Sequence, residues 1–309
     1  MAIRWTTRDI PRLDGRIAVV TGASAGVGFE ISKQLALHGA HVVMASRYEN
    51  RTRETARRIQ LEVPRASLEP LRLDLADLSS VRKFAGVCAG RYGRLDMLIN
   101  NAGISGGPRR ITKDGFEMLF QVNYLGHFAL TGLLLSALSA KGDGRVVTMS
   151  SDIAASGQID FDDLQAERHY GLVRTYAQSK LADLVFAIEL DRRARAAGAG
   201  VSSFATCPGI AKTGLFAAKR SEWGRSLTFP ERLLQGVQFL LGQPASVCAL
   251  APLFQATDLS ARSSRYVVGA KWPKPPGLAV ESFPARARDP SVAAKLWHVS
   301  ETLTGVRYL

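Results

Sequence analysis

Six short runs rich in β-branched and apolar residues recur along the chain, each followed by a longer amphipathic stretch. They lie at Arg16 to Val20, His41 to Ala45, Leu68 to Leu73, Leu95 to Ile99, Arg145 to Met149 and Val201 to Thr206. A strand that is apolar on both faces needs cover on both, and parallel strands can be joined only through a crossover. This alternation predicts right-handed strand–helix–strand units and a parallel sheet with helices on both faces. The helices are expected at Phe29 to His38, stopped by Gly39, then at Asn50 to Leu61, Ser79 to Tyr92, Phe116 to Leu138 and Arg174 to Ala197. The expected fold class is α/β, a single doubly wound domain of about seven strands.

At 309 residues the chain is long for one domain, yet no internal repeat or low-complexity linker interrupts it before Lys271. It divides into a leader, residues 1–14, a sheet domain, 15–270, and a C-terminal extension, 271–309, packed on the same domain. Proline fixes φ and removes a donor, so the segment Lys271-Trp-Pro-Lys-Pro-Pro276 cannot be helical. Beyond it, Asp289-Pro290 has the order of an N-cap and a first helical residue, with Val292, Leu296, Val299 and Leu303 on one stripe.

The net charge is +13, from 40 Lys+Arg against 27 Asp+Glu, which raises the question of nucleic acid. The basic residues are scattered, often beside acidic ones (Glu49/Arg51, Arg53/Glu54, Glu231/Arg232), and form no long arm. A solvated basic surface that attracts a small anion is the better account, and no nucleic-acid partner is expected. Cys88, Cys207 and Cys248 are widely spaced and give neither a disulfide framework nor a zinc pattern, so a reducing compartment and no metal are expected. The charged N-terminus lacks the apolar core of a secretory signal. The longest apolar stretch, Phe128 to Leu138, falls short of the ~20 residues of a membrane span. The expected location is cytoplasmic, with no integral membrane segment.

Glycines are placed where a ligand phosphate would need them. Thr21-Gly22-Ala-Ser-Ala-Gly26-Val-Gly28 follows the first strand and opens the first helix. Gly22 permits a tight exit from the strand, Gly26 lets backbone approach a ligand, and Gly28 lets the helix pack close to the sheet. The helix N-terminus then offers unpaired N–H groups and a positive dipole to a pyrophosphate. The spacing Gly-x3-Gly-x-Gly differs from the common Gly-x-Gly-x-x-Gly dinucleotide fingerprint.

Together with Asn100-Asn-Ala-Gly103 after the fourth strand and Tyr176-Ala-Gln-Ser-Lys180, this loop resembles the short-chain dehydrogenase/reductase family, most closely its retinol-dehydrogenase-like branch. The resemblance runs from about Asp14 to Gly269 and includes Asn123, Ser151 and Pro208-Gly209-x3-Thr213 in family order. It implies a Rossmann-type fold and a nicotinamide dinucleotide. The matching cofactor positions are Gly22, Ser24, Ala25, Gly26, Val27 and Gly28 in the loop, then Ser46 and Arg47, Asp74 and Leu75, and Asn101, Ala102 and Gly103. Tyr176 and Lys180 follow, then Pro208, Gly209, Ile210 and Thr213.

Position 46 bears on which dinucleotide. A carboxylate at the tip of the second strand would bind the ribose hydroxyls of NAD and repel the extra phosphate of NADP. Ser46-Arg47 stands there instead, and a guanidinium can grip a phosphate in bidentate fashion, with Arg51 and Arg53 near it in sequence. NADP(H) is therefore the expected cofactor. Asp74 matches a family contact to adenine, and a turn-forming aspartate would read the same way.

Tyr176 and Lys180 are four apart and share a helix face. An ammonium ~4 Å from a phenol contributes up to about 4 kcal/mol at an effective dielectric of 20, so the phenol is expected to fall by as much as ~3 pKa units before screening and desolvation. The resemblance implies Tyr176 as general acid/base and Ser151, rather than its neighbour Ser150, as hydrogen-bond donor to the reacting oxygen. It further implies Lys180 on the nicotinamide ribose, Asn123 on a proton-relay water and Thr213 on the carboxamide. His127, on an apolar stretch, reads as a satisfied core histidine.

Twenty-four residues separate Ser151 from Tyr176, about twice the spacing in many family members, and the segment 152–175 resembles the longer version of this branch. It is expected beside the substrate mouth, with His169 and Tyr170 more in keeping with surface or packing roles. Leu215, Phe216, Trp223, Leu227 and Phe229 lie where the family folds over its substrate, which suggests a bulky hydrophobic carbonyl or alcohol. The expected function is NADPH-dependent reduction of such a ketone or aldehyde, in specialised-metabolite biosynthesis as one setting. Reduction of a quinone or conjugated C=C bond, and a silent NADP-binding scaffold, are the alternatives. Family members commonly pair through the helices of Asn123 and Tyr176 while this branch includes monomers, so homodimer, homotetramer and monomer all stay open.

Overall fold

The computed structural model describes residues 2–209, 242–269 and 277–309. Strands β1 (Ala2–Ile3), β2 (Ile17–Thr21), β3 (His41–Ser46), β4 (Ser67–Arg72), β5 (Met97–Asn100), β6 (Gly144–Met149), β7 (Val201–Cys207), β8 (Tyr266–Gly269) and β9 (Leu278–Glu281) form one sheet. Its order is β1-β9-β8-β7-β6-β5-β2-β3-β4, and β8 through β4 are parallel throughout. The six strands expected from the apolar runs are all present within two residues of their ends. The antiparallel edge strands β9 and β1 are additions.

Helices α1 (Gly26–Leu37), α2 (Glu49–Glu62), α3 (Leu78–Tyr92), α4 (Met118–Ser139), α5 (Leu172–Ala196), α6 (Ala245–Thr257) and α7 (Pro290–Thr304) cover both faces. On one face Phe84, Phe128, Leu181, Phe186 and Trp297 pack with the outer side chains of β5–β7, joining α3, α4, α5 and α7. On the other, Ile31, Leu35, Ile59, Leu253 and Phe254 join α1, α2 and α6. Strands buried on both sides explain the unbroken apolar runs.

Residues 2–14, set apart in the sequence as a leader, are built into this second face. Ala2 pairs with Ala279, and Trp5 meets Phe254 edge-on at 5.7 Å between ring centroids. Trp5, Ile10 and Leu13 are buried. Asp289 caps α7 by accepting from the Ser291 and Val292 amides, with Pro290 in the first turn. The expected α7 stripe is rotated: the buried side chains are Ala293, Leu296, Trp297, Ser300 and Thr304. Ser300 and Thr304 are buried at little cost, because their hydroxyls donate to the carbonyls of Leu296 and Ser300.

Helix α4 is longer than its apolar run. Its 22 residues, at mean hydropathy 1.3, are long and apolar enough to cross a membrane by length and composition, and 72 % of that window is buried inside the fold. A π-helical stretch at Gln121–Leu125 interrupts it.

Candidate active site

The strand order reverses between β2 and β5, so the loops leaving these two strands diverge and open a crevice at their C-terminal ends. Thr21, the last residue of β2, ties the two sides together. Its hydroxyl accepts from the Asn101 and Ala102 amides at 2.9 Å each, and its carbonyl accepts from Asn101 Nδ2 at 2.7 Å. Sequence reading passed over Thr21, although a polar residue closing an apolar strand beside a glycine was its signal.

The glycine loop then turns into α1. Gly22 and Gly26 take positive φ, 67° and 58°. A Cβ on Gly28 would lie 2.4 Å from the Gly22 carbonyl oxygen, so only glycine lets α1 approach this closely. The α1 N-cap is Ala25, with no side-chain cap, so the first-turn amides keep their donors for a ligand. Ser24 and Ala25 lie in this loop and Val27 in the first turn of α1.

At the tip of β3, Ser46 is buried and its hydroxyl bonds Thr52, while Arg47 is exposed with its guanidinium 4.6 Å from the Tyr48 ring centroid. Arg51 lies on the same ring at 5.5 Å, whereas Arg53 is spent on an ion pair with Glu49. Asp74 forms a turn, its carboxylate accepting from the Ala76 amide at 3.1 Å, and Leu75 is buried against Gly126. Pro208 and Gly209 leave β7, with Gly209 at φ 78°, while Ile210 and Thr213 lie outside the described residues.

Helix α5 brings Tyr176 and Lys180 to the end of β6. Lys180 is buried, and its ammonium donates to Met149 O at 3.0 Å and to Asp183 Oδ2 at 2.8 Å. Nζ would lie 3.6 Å from a Cβ on Gly103, which places it on the Asn101–Gly103 side of the crevice. The Ser151 hydroxyl lies near the Tyr176 phenol and acts to lower its pKa. Ser150 instead donates to Lys180 O at 2.7 Å, a structural bond.

The phenol's pKa moves the opposite way from the expected fall. Burial pushes it above its ordinary value, and the Lys180 charge and the Ser151 hydroxyl offset only part of that. Two local causes are visible. Lys180's charge is shared with the buried carboxylate of Asp183, and the Cys207 thiol and that carboxylate both raise the phenol. Sequence reading did not single out Asp183, though it sits seven residues after Tyr176, on the same helix face.

Asn123 sits in the π-helical stretch, fully buried. Its Oδ1 accepts from the Ile104 amide at 2.7 Å, and its Nδ2 donates to Ile104 O and Ser179 Oγ. His127 bonds Asn123 O at 2.9 Å and Thr21 Oγ1 at 3.0 Å, and burial lowers its pKa to about 4, so it is a neutral, satisfied core histidine. His169 is exposed, and Tyr170 donates to Gly107 O. A cavity of about 480 Å³ opens beside Ser151, between Asp152 and Ala155 on one side and Tyr266, Glu281 and Arg286 on the other. Leu215, Phe216, Trp223, Leu227 and Phe229 lie outside the described residues.

A glycine cradle at a sheet crevice, with a tyrosine, lysine and serine converging beside a cavity, is matched along the sequence. The short chain dehydrogenase family model covers residues 16–223. The chain belongs to that family. It is 37% identical to retinol dehydrogenase 13 of Homo sapiens over 95% of this chain and 86% of that one, and 36% identical to retinol dehydrogenase 12 of Bos taurus over 96% and 89%. Among solved structures, an uncharacterised protein from Mycobacterium paratuberculosis superposes with TM-score 0.80 at 34% identity, covering 99% of both chains. A chain from Beutenbergia cavernae, provisionally an NAD(P)-dependent gluconate 5-dehydrogenase with NADP bound at low occupancy, gives 0.59 at 30% identity, over 80% of this chain and 91% of that one.

Membership makes the protein an oxidoreductase of the alcohol/carbonyl couple that uses a nicotinamide dinucleotide. The residues present fit such a group: the positive-φ glycines, the close approach at Gly28 and the uncapped first turn of α1 form a cradle that any Cβ would fill.

Proposed function

We propose that the protein reduces the carbonyl of a bulky hydrophobic ketone or aldehyde with NADPH, or runs the reverse oxidation, with Tyr176 as the general acid/base. The observation that carries this is Ser151, which lines the 480 Å³ cavity and acts on the Tyr176 phenol, with Lys180 one turn beyond Tyr176 on the same helix. When bound, the nicotinamide supplies the hydride. Tyr176 delivers its proton to the carbonyl oxygen, while the Ser151 hydroxyl donates a hydrogen bond to that oxygen as negative charge develops. Lys180, fixed by Met149 and Asp183, has a third N–H left over that would serve the nicotinamide ribose. Asn123 secures the loop after β5 through Ile104. A phenol raised above its ordinary pKa stays protonated at neutral pH, the form that reduction consumes.

NADPH rather than NADH is supported by Ser46 and Arg47 at the tip of β3, with Arg51 beside them, and by the NADP of the Beutenbergia relative. A hydrophobic substrate is supported by the apolar segment after Thr213 and by relatives described as retinol and polyprenol dehydrogenases. We place the protein in the cytoplasm. The test is Tyr176→Phe, assayed by NADPH consumption with retinaldehyde, a long-chain aldehyde and a steroid ketone. NADPH affinity is expected to stay within a few-fold while turnover falls at least ~100-fold. Undiminished turnover overturns the assignment.

A further inference from the structure

Asp183 is a buried carboxylate that holds Lys180, and its charge is not used in the steps above. Tyr176, Lys180 and Asp183 stand at i, i+4 and i+7 of α5, on one inward face. The Lys180–Asp183 pair is closed from water, with side chains 6% and 1% exposed, so neither solvent nor salt screens it. One carboxylate oxygen, Oδ2, accepts a hydrogen bond from the ammonium, and the other, Oδ1, is buried with no hydrogen-bond partner. Burial pushes this carboxyl up to about 7 against the pull of Lys180. The other titratable groups facing the pair are Tyr124 and His127 on α4 and Cys207 on β7, whose thiol bonds Asp152. His127 is neutral, and burial holds Tyr124 protonated against the opposing pull of its hydrogen bond with Ser300, so neither supplies charge.

A lysine that only had to be oriented needs no charged partner, since Met149 O already anchors it. A carboxylate adds a negative charge, which acts on the phenol in the sense opposite to the ammonium. We propose that Asp183 is a positioning residue that locks the Lys180 ammonium against the end of β6 and cancels part of the positive charge Tyr176 faces, biasing the site toward proton donation and hence carbonyl reduction. This rests on Tyr176 being the acid.

The test reads the phenol directly. Ultraviolet difference titration of the protein against Tyr176→Phe isolates one phenolate, and the same subtraction is made in the Asp183→Asn background. Neutralising Asp183 is expected to move the Tyr176 midpoint acidward by about one pH unit, the low end for one nearby charge. The pH profile of NADP-linked oxidation of all-trans-retinol, used as probe alcohol, is expected to move with it. Asp183→Glu, which keeps the charge, is expected to restore the original midpoint. NADPH fluorescence titration reports folding, and Asp183→Ser replaces Asp183→Asn where the latter does not fold. A purely structural role lowers thermal stability but leaves the midpoint in place, and that result overturns the proposal. Full turnover by Tyr176→Phe would instead bring down the functional reading itself.

Discussion

Gly28→Ala tests whether the cradle depends on the closeness of α1. The added Cβ would sit 2.4 Å from Gly22 O and 2.6 Å from Asn101 Nδ2, where ordinary contact begins near 3.4 Å. Neither neighbour is free to give. Asn101 is held by two bonds to Thr21, and Gly22 is fixed in the left-handed region between β2 and α1. The helix must therefore retreat by about 1 Å, an overpacking cost of ~1–3 kcal/mol. For a chain of this size that is a fall in Tm of roughly 2–6 °C. The same retreat carries the first-turn amides away from a pyrophosphate. Bonds to a charged group are worth about 1.5–3 kcal/mol, so NADPH affinity should drop at least ~10-fold. The assays are a thermal melt and a fluorescence titration with NADPH. Gly90→Ala is the contrast: it lies exposed inside α3 with nothing within 4 Å of its would-be Cβ, and should gain ~0.5–1 kcal/mol with unchanged binding. A Gly28→Ala protein that melts and binds like its parent would refute the close-approach argument.

Arg47→Asp should weaken NADPH by about 10- to 100-fold in fluorescence titration, with NADH little affected; equal loss for both cofactors refutes the phosphate contact. Trp297 meets Phe128 at 5.2 Å and Tyr308 at 4.8 Å, with the Arg193 guanidinium 4.5 Å from its ring centroid. Trp297→Ala is expected to cost ~3–5 kcal/mol in urea denaturation, and a loss below about 1 kcal/mol would refute tight docking of α7. Burial pushes the Asp77 carboxyl up, but hydrogen bonds from Lys113, Ser79 and Ser80 outweigh it and hold the pKa at about 2, below the ordinary 3.8. A carboxyl lowered on folding stabilises above its unfolded pKa and loses that contribution as pH falls through the folded one. The stability gap between the protein and Asp77→Asn should thus be full above about pH 4 and close toward pH 2. Denaturation series at several pH values check this, and a gap widening in acid would contradict it.

What was legible in the sequence was what depends on neighbours along the chain. Strands buried on both faces must be apolar throughout, and a glycine loop between strand and helix has few uses, so β2–β7 and the cradle followed directly. Elements whose stability comes from distant partners were not legible. β9 is four residues long and exists because β8 and β1 flank it, and the inward side of α7 is chosen by Phe128, Phe186 and Tyr124 rather than by its own apolar count. The site shows the same division. Spacing alone put Tyr176 and Lys180 on one face, and the structure keeps them there. Whether a neighbouring ammonium lowers a phenol depends on how deeply both are buried and on what else shares the positive charge. Burial supplies the first influence, Cys207 and Asp183 act in the same sense, and together they reverse the direction that the pair alone implies. The i, i+4 pattern identifies which groups meet. The direction in which their proton affinity moves is a property of the packed face, and reading the helix to i+7, where the opposing charge stands, recovers part of it.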